Sequence, residues 1–282
     1  MTIGQAIILG IVEGLTEYLP ISSTGHLVLT AALLRLDDPE TKSAVSAFLI
    51  VIQGGAILAV LGLYRRRVAQ MIAGLAGRDV IGRRLAVNLV VAFLPAAVLG
   101  PLLSDAIETR LFHPVPVVVA LAVGGVVMIA LGPWQRRFFH DADRSDDGHS
   151  FVDLEQLSWR RALLIGLMQC LAMWPGTSRS MVTIVGGMVV GMRGRQAAEF
   201  SFLLALPTLG GACVYRIGKT VVGGEANMFA TFGWLAIIAG LAAATISAAL
   251  AIKWLVSWLS RHGLAIFGWY RLVIAAVYAV FA

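Results

Sequence analysis

Charged residues are scarce in this chain of 282 residues: only 13% are Asp, Glu, Lys or Arg, whereas 59% are apolar. A soluble domain carries about 25% charged residues, so a water-soluble protein of this composition could not bury its apolar side chains. Cysteine is also rare. Cys170 and Cys213 both lie in apolar stretches, and we interpret them as small buried hydrophobic residues rather than a disulfide or metal pair. These shortages exclude soluble enzymes, secreted disulfide scaffolds, disordered chains and nucleic-acid binders.

Six apolar stretches are long enough to cross a bilayer, because each is close to the roughly 20 residues that a spanning helix needs. We predict these spans at residues 46–64, 85–103, 116–132, 199–215, 229–252 and 264–282. Two further apolar stretches, 3–29 and 162–190, are interrupted by a proline that is followed by Gly, Ser and Thr. Since proline ends a helix, and non-helical backbone at membrane depth must face protein or a wet cavity, we predict two re-entrant helical hairpins.

The two interrupted stretches resemble each other, which indicates an inverted repeat. Residues 10–23 can be laid on 166–178 with a one-residue gap before the proline. Each stretch is followed by three predicted spans, and an odd number of spans inverts the second half. We therefore expect one all-α polytopic membrane domain, 1–282, with halves at about 1–132 and 160–282 joined by a cytoplasmic linker, 133–159. Functional residues are expected where the broken helices meet near the midplane.

Basic residues are distributed unevenly over the predicted loops. The loops on one side carry 15 of the 22 Lys and Arg residues, and those on the other side carry 5. The positive-inside rule places the 15 in the cytoplasm and both termini outside. The first 12 residues hold no basic residue, and Glu13 and Glu17 interrupt the apolar run that follows, so we expect no cleavable signal there.

Glu13 and Glu17 lie four residues apart, on one face of an otherwise apolar helix. Carboxylates inside a membrane segment are costly and are usually functional. A pair of them can bind a hard divalent cation, or share a proton so that one acts as a base. The alternative is a structural pair that is hydrogen bonded to the opposite hairpin.

The segment after the first proline combines hydroxyls, a glycine and an imidazole: Ser22, Ser23, Thr24, Gly25 and His26. Hydroxyls and turn amides donate hydrogen bonds to anions, glycine lets the backbone approach closely, and histidine transfers protons near neutral pH. The structural alternative is helix capping by Ser and Thr beside a satisfied histidine. Capping would need only one or two of these residues.

The second interruption follows Pro175 and contains Gly176, Thr177, Ser178, Arg179, Ser180 and Thr183. An arginine at membrane depth is costly unless it meets an anion, and its planar fork suits phosphate or carboxylate. Arg179 could therefore bind a phosphate together with the start of the helix that follows. In the empty protein it could instead pair with Glu13 or Glu17.

Three other polar residues lie in or beside predicted spans. Gln53 could reach the site or tie helices together. For Glu199 we expect an interfacial ion pair with nearby Arg193 and Arg195. For Arg271 we expect helix packing or a charge pair rather than catalysis.

The two interruptions together offer carboxylates, hydroxyls, an imidazole, an arginine and glycine turns. A phosphoryl-transfer site uses all of these as nucleophile, base, cation clamp and backbone donors, and the membrane setting suggests a lipid phosphate. A transporter for such a lipid is the competing hypothesis, because secondary transporters are often inverted repeats with broken helices. An intramembrane serine protease would leave both glutamates and Arg179 unexplained.

At these residues the chain resembles a known family. Glu13-x-x-x-Glu17 with residues 20–26, and residues 175–183, are similar to the two signature motifs of the bacterial undecaprenyl-diphosphatases, the bacitracin-resistance family. The similarity extends to residues 53–60 and 198–207. The resemblance implies an inner-membrane enzyme that removes the terminal phosphate of undecaprenyl diphosphate. Its product is the lipid carrier for cell-wall synthesis, and the activity confers bacitracin resistance.

The resemblance also implies roles for individual residues. Glu13 and Glu17 would bind a divalent cation, Mg²⁺ or Ca²⁺, and Glu17 or His26 would take a proton. Ser23 would be the nucleophile, with water or His26 as alternatives, and Arg179 would hold the diphosphate. Substrate binding would involve Ser22, Thr24, Gly25, Gln53, Gly176, Thr177, Ser178, Ser180 and Thr183. The site would open to the extracytoplasmic side; the expected partners are a polyprenyl diphosphate lipid and the bilayer, with a homodimer allowed and no nucleic acid.

Overall fold

The computed structural model describes residues 1–36, 42–111, 113–135, 151–223 and 228–281, and within these ranges it contains only helices, turns and irregular connections. The first half consists of α1 (Ile3–Tyr18), α2 (Ser23–Leu33), α3 (Lys42–Leu63), α4 (Arg65–Leu75), α5 (Val80–Leu111), α6 (Pro114–Ala130) and the short α7 (Gly132–Gln135). After a 3₁₀ helix (Leu154–Gln156), the second half consists of α8 (Trp159–Gln169), a 3₁₀ helix (Cys170–Met173), α9 (Arg179–Val189), α10 (Gly194–Gly223), α11 (Met228–Leu259) and α12 (Ala265–Phe281). The middle of the predicted linker, 136–150, lies outside the described residues.

Among the described residues, four helices are long and apolar enough to cross a membrane: Ser43–Leu63, Val80–Ile107, Gly194–Tyr215 and Thr231–Leu259. They correspond to four of the six predicted spans, and they identify a multi-pass membrane protein. The remaining two predicted spans correspond to α6 and α12, which have 17 residues each and are therefore about 26 Å long. These two helices pack along each other.

Both predicted interruptions are present. α1 ends at Tyr18 and α2 begins at Ser23, while α8 ends at Gln169 and α9 begins at Arg179. The residue before each second helix has a positive φ, 75° at Ser22 and 74° at Ser178, although neither is glycine. Such backbone costs on the order of 1–3 kcal/mol and is concentrated at functional sites.

By backbone conformation, Ser22 corresponds to Ser178, whereas the sequence alignment of the two halves paired Ser23 with Ser178. The difference arises because Ser178 lies three residues after its proline and Ser22 only two. The second turn therefore contains one residue more, which identity matching alone could not place. The helices that follow the turns, α2 and α9, have 11 residues each.

The most extensive helix contacts join the two predicted halves. α1 packs along α11, α6 along α12, and α3 along α11. The α1–α11 contact depends on small residues: a Cβ at Gly10 would collide with the Gly240 carbonyl, and one at Gly14 with the Ser247 hydroxyl. This close approach places the α1 glutamates in the protein interior rather than against lipid.

A polar cluster joins α4 to the second half of the chain. It lies on the side that the distribution of basic residues assigns to the cytoplasm. Arg67 Nη1 donates to Glu155 at 2.9 Å, and its Nε donates to Glu199 at 3.0 Å. Burial alone would lower the pKa of Arg67, but these carboxylates raise it above its usual value. The ion pair expected for Glu199 is therefore present, but α4, which is distant in sequence, provides its cation in place of Arg193 and Arg195.

Candidate active site

The α1–α2 turn and the α8–α9 turn meet inside the protein. Arg179 Nη2, at the start of α9, donates to Glu17 Oε1, at the end of α1, at 2.9 Å. Ser180 Oγ, also on α9, donates to the carbonyl oxygen of Leu19 at 2.9 Å. Of the two pairings considered for Arg179, the structure contains the one with Glu17. The site residues of the two interrupted stretches thus form one cluster.

Glu17 is the centre of this cluster. Its Oε1 accepts from Arg179, and its Oε2 accepts from Ser23 Oγ at 2.6 Å. The carboxylate is nearly buried, with 7% of the residue exposed. A hydroxyl within hydrogen-bond reach of a carboxylate, which is itself oriented by a third group, is the arrangement of an activated nucleophile.

The Arg179 guanidinium is held on three sides. Besides Glu17, it donates from Nη1 to the Ser201 carbonyl oxygen at 2.9 Å, and it lies 5.7 Å from the centre of the Tyr18 ring. Tyr18 is fixed in turn by donating to the Ala56 carbonyl oxygen at 2.8 Å. Within the described residues, Arg179 Nε is buried without a hydrogen-bond partner. One donor of the fork is therefore free for an anion.

Glu13 lies one helical turn before Glu17 and is 1% exposed. Neither of its carboxylate oxygens has a hydrogen-bond partner in the described part of the chain. A buried carboxylate without partners is costly, so a ligand that supplies positive charge would be stabilised there. The described residues contain no cluster of three or more His, Cys, Asp or Glu residues suited to a metal. Mg²⁺, however, often takes only one or two protein carboxylates and completes its shell with phosphate oxygens and water. The donor chemistry of Glu13 and Glu17 fits such an ion.

His26 faces α12 rather than Ser23. Its Nδ1 lies 2.7 Å from the Ser22 carbonyl oxygen, and its Nε2 lies 2.7 Å from the Tyr270 hydroxyl. Because a carbonyl can only accept, Nδ1 carries a proton, and when the ring is neutral Nε2 accepts from Tyr270. Sequence reasoning did not find Tyr270, whose partner lies 244 residues away.

Comparison with known proteins identifies the family. A family model described as bacitracin resistance protein BacA matches residues 6–277. The chain belongs to the BacA family. Undecaprenyl-diphosphatases from Sorangium cellulosum and Nitrosomonas europaea are 46% and 43% identical to it over 273 residues. These alignments cover 97% and 95% of this chain, and 84% and 90% of the relatives. The undecaprenyl-diphosphatase of Acinetobacter baumannii is 40% identical over 278 residues, which are 99% of this chain and 95% of that protein.

The BacA match confirms the family that the two motifs predicted. It also favours the phosphatase over the transporter hypothesis, because these relatives are named as diphosphatases.

Other residues predicted to bind substrate stabilise the second turn of the BacA chain. Ser178 Oγ accepts from the Met181 amide at 3.4 Å and lies 3.1 Å from Ser180 Oγ. Thr183 Oγ1 is fully buried and lies 2.6 Å from the Ser201 hydroxyl, on α10. In the α8–α9 turn, Gly176 has a φ of 96°, which a side chain would disfavour.

The other predicted substrate residues lie around the first turn and on α3. Ser22 and Gly25 are buried, and Thr24 is half-buried. Gln53 lies on α3, where its Oε1 is 3.6 Å from the Cys213 sulfur on α10. This contact links two helices, which is the second of the two roles considered for Gln53. Contact between Gln53 and the substrate stays a prediction.

Arg271 is fully buried among backbone carbonyls. The guanidinium donates to the carbonyl oxygens of Pro20, Ala120, Leu121, Gly176 and Thr177 at 2.8–3.5 Å. The predicted packing role is confirmed. The predicted charge pair is absent from the described residues, where its hydrogen-bond partners are carbonyls.

Proposed function

We propose that this protein hydrolyses undecaprenyl diphosphate to undecaprenyl phosphate and inorganic phosphate where the two turns meet. The observation that carries the proposal is the Glu17 carboxylate, which contacts a hydroxyl from the first turn and a guanidinium from the second. A nucleophile, a proton acceptor and a phosphate-binding cation thus lie side by side. The names of the BacA relatives specify the substrate. The activity regenerates the lipid carrier for cell-wall synthesis and supports bacitracin resistance.

Arg179 and the start of α9 are the proposed holders of the diphosphate. The unpartnered Nε of Arg179 supplies a charged donor, and the first amides of a helix have no acceptors within that helix. The polyprenyl tail would extend between the apolar spans. The remaining site residues of both turns, Ser22, Thr24, Gly25, Gly176 and Thr177, would line the phosphate path.

In the proposed reaction, Ser23 Oγ attacks the terminal phosphorus while its proton passes to Glu17 Oε2. The bond from phosphorus to the bridging oxygen breaks, and undecaprenyl phosphate leaves with that oxygen. Water then attacks the phosphorus of the phosphoserine, the bond from Ser23 Oγ to phosphorus breaks, and inorganic phosphate leaves with the water oxygen and its protons. Ser23 Oγ takes back the proton that Glu17 received, so both residues return to their starting states. Arg179 stabilises the charge that builds up on the phosphoryl oxygens.

The geometry favours Glu17 over His26 as the base for Ser23. Ser23 Oγ donates to Glu17, whereas both ring nitrogens of His26 already contact the Ser22 carbonyl and the Tyr270 hydroxyl. A role of His26 in proton transfer stays a prediction. Direct attack by water, with Glu17 as base, is the competing route.

We further propose that Glu13 and Glu17 hold a divalent cation, Mg²⁺ or Ca²⁺, together with the substrate phosphates. Bound there, the ion would neutralise diphosphate charge. This use explains the two partnerless oxygens of Glu13.

Phosphate release by the purified protein in detergent should stop when EDTA is added and return when Mg²⁺ or Ca²⁺ is restored. The Glu13→Gln variant should need a higher cation concentration for half-maximal rate, because one ligand loses its charge. Release from undecaprenyl diphosphate that is insensitive to EDTA would contradict the cation proposal. Absence of release from folded protein under all conditions would contradict the phosphatase function.

The proposed topology comprises six spans and two re-entrant hairpins in the bacterial inner membrane, with the site open to the extracytoplasmic side. The hairpins are supported by the two interrupted helix pairs, and the orientation of the spans by the uneven distribution of basic residues. The side to which the site opens follows from the family resemblance. The matching positive φ values of Ser22 and Ser178 support the inverted repeat.

A further inference from the structure

All N–H donors of the Arg271 side chain bind backbone carbonyl oxygens. Its Nε and two Nη atoms make five hydrogen bonds to carbonyl oxygens, and an arginine has five N–H donors. Three of these carbonyls belong to the two active-site turns, at Pro20, Gly176 and Thr177. The other two belong to α6. One side chain of α12 therefore joins both turns and the neighbouring helix.

These contacts fix the direction of the adjacent amides. The described peptide bonds are trans, so the carbonyl and the following N–H lie in one plane and point in opposite directions. Arg271 Nη1 binds the Thr177 carbonyl at 3.0 Å, and the Ser178 N–H must therefore point away from Arg271. That amide begins the run of donors at the start of α9.

The positive charge of Arg271 also favours binding of a diphosphate at the turns. The carbonyl oxygens behind the turns carry partial negative charge, which would repel a nearby diphosphate. Arg271 covers them with a cation that has no carboxylate partner among the described residues. Donors that are fixed before the substrate arrives stabilise developing charge most effectively.

We propose that Arg271 is a positioning residue of the phosphatase: it holds the backs of both turns so that their amides and Arg179 face the diphosphate. The inference rests on the proposed phosphate site, but it assigns a function to a residue that would not itself touch the substrate. It predicts that loss of the guanidinium contacts lowers kcat by about 10²-fold, as expected when reacting groups are displaced by about 1 Å.

Two adjacent glycines of α6 provide a matched test. A Cβ at Gly124 would collide with the Arg271 guanidinium, whereas a Cβ at Gly125 would lie 2.8 Å from the Gly268 carbonyl oxygen and 3.1 Å from the Leu272 side chain. Both substitutions crowd the α6–α12 contact. The clash at Gly124 involves Arg271, and the contacts at Gly125 involve Gly268 and Leu272 instead.

The experiment compares Gly124→Ala, Gly125→Ala, Arg271→Lys and Arg271→Met with the unmodified protein and Arg179→Ala. Melting temperature, kcat and KM are measured for each in detergent. We expect Gly124→Ala and both Arg271 variants to lose kcat with a smaller change in KM. Arg271→Lys should recover part of the loss, because it keeps the charge but not the fork. Gly125→Ala should lower the melting temperature by a similar amount and keep kcat.

If Arg271 has a structural role alone, the two glycine variants should lose kcat in the same proportion to their loss of melting temperature. That result would overturn the proposal. Activity that needs Arg179 but is unchanged in Gly124→Ala and Arg271→Lys would overturn it too, while leaving the phosphate site intact. Activity that is indifferent to Arg179 would refute the site itself. Gly124→Ala and Arg271→Lys keep the test decisive if Arg271→Met does not fold.

Discussion

Replacing Arg179 with alanine should reduce the rate of phosphate release about 10²- to 10³-fold, which is the usual loss for one preorganised donor in a site of this kind. The substitution removes the cation that contacts Glu17, together with the buried Nε donor that has no partner among the described residues. Arg179→Lys should recover little activity, because an ammonium cannot reproduce the planar fork. Phosphate release from undecaprenyl diphosphate at saturating and limiting concentrations gives both kcat and kcat/KM.

Arg160→Ala is the control for removing an arginine that stacks on an aromatic ring. Arg160 lies 5.4 Å from the centre of the Trp159 ring and is exposed, on the side assigned to the cytoplasm. It should leave the rate of phosphate release unchanged. A loss of only a few-fold in Arg179→Ala would place the phosphate site elsewhere.

Replacing Ser23 with alanine should lower kcat by at least about 10³-fold if the hydroxyl is the nucleophile, since removal of the nucleophile from a catalytic unit has effects of this size or larger. The 2.6 Å hydrogen bond from Ser23 to Glu17 is the physical reason. Radiolabel from the terminal phosphate should also remain on the unmodified protein after an acid quench, and be absent from Ser23→Ala.

Ser260→Ala is the matched control, because the Ser260 hydroxyl is exposed and makes only a local bond to the Ser257 carbonyl oxygen at 2.7 Å. Its turnover should equal that of the unmodified protein. Near-normal turnover by Ser23→Ala would eliminate serine as nucleophile and leave water, activated by Glu17, in its place.

The sequence was sufficient to locate the two breaks and the charged groups beside them. Proline followed by Gly, Ser and Thr is a local signal, and the carboxylates and Arg179 stand out against apolar surroundings. The register of the repeat was missed by one residue, because identity matching cannot weigh the backbone conformation that Ser22 and Ser178 share.

The parts that sequence reasoning missed depend on contacts distant in the chain. Arg271 binds the Pro20 carbonyl across 251 residues, and Tyr270 binds His26 across 244. The partners of Arg271 are backbone carbonyls, which every residue has, so no side-chain pattern marks them. The partner of Glu199 was missed for a related reason: its cation comes from α4 and not from the adjacent loop.

The Glu17–Arg179 ion pair unites two alternatives that the sequence left open. It is a structural link between the turns, and in the proposed reaction it also positions both groups for chemistry. In the proposed reaction, Arg179 shares its donors between Glu17 and the phosphate, while Glu17 keeps its second oxygen on Ser23. Removal of only one partner of a buried ion pair strongly destabilises the folded protein, because the other charge is left buried without a partner.

The most direct test of a single site formed by both turns is a double-mutant cycle of Glu17→Gln and Arg179→Ala, with phosphate release from undecaprenyl diphosphate as the readout. Residues that act as one catalytic unit are strongly non-additive. We predict that the double variant loses about as much activity as the more impaired single variant. Losses that multiply would show that the two turns act independently and would contradict the account.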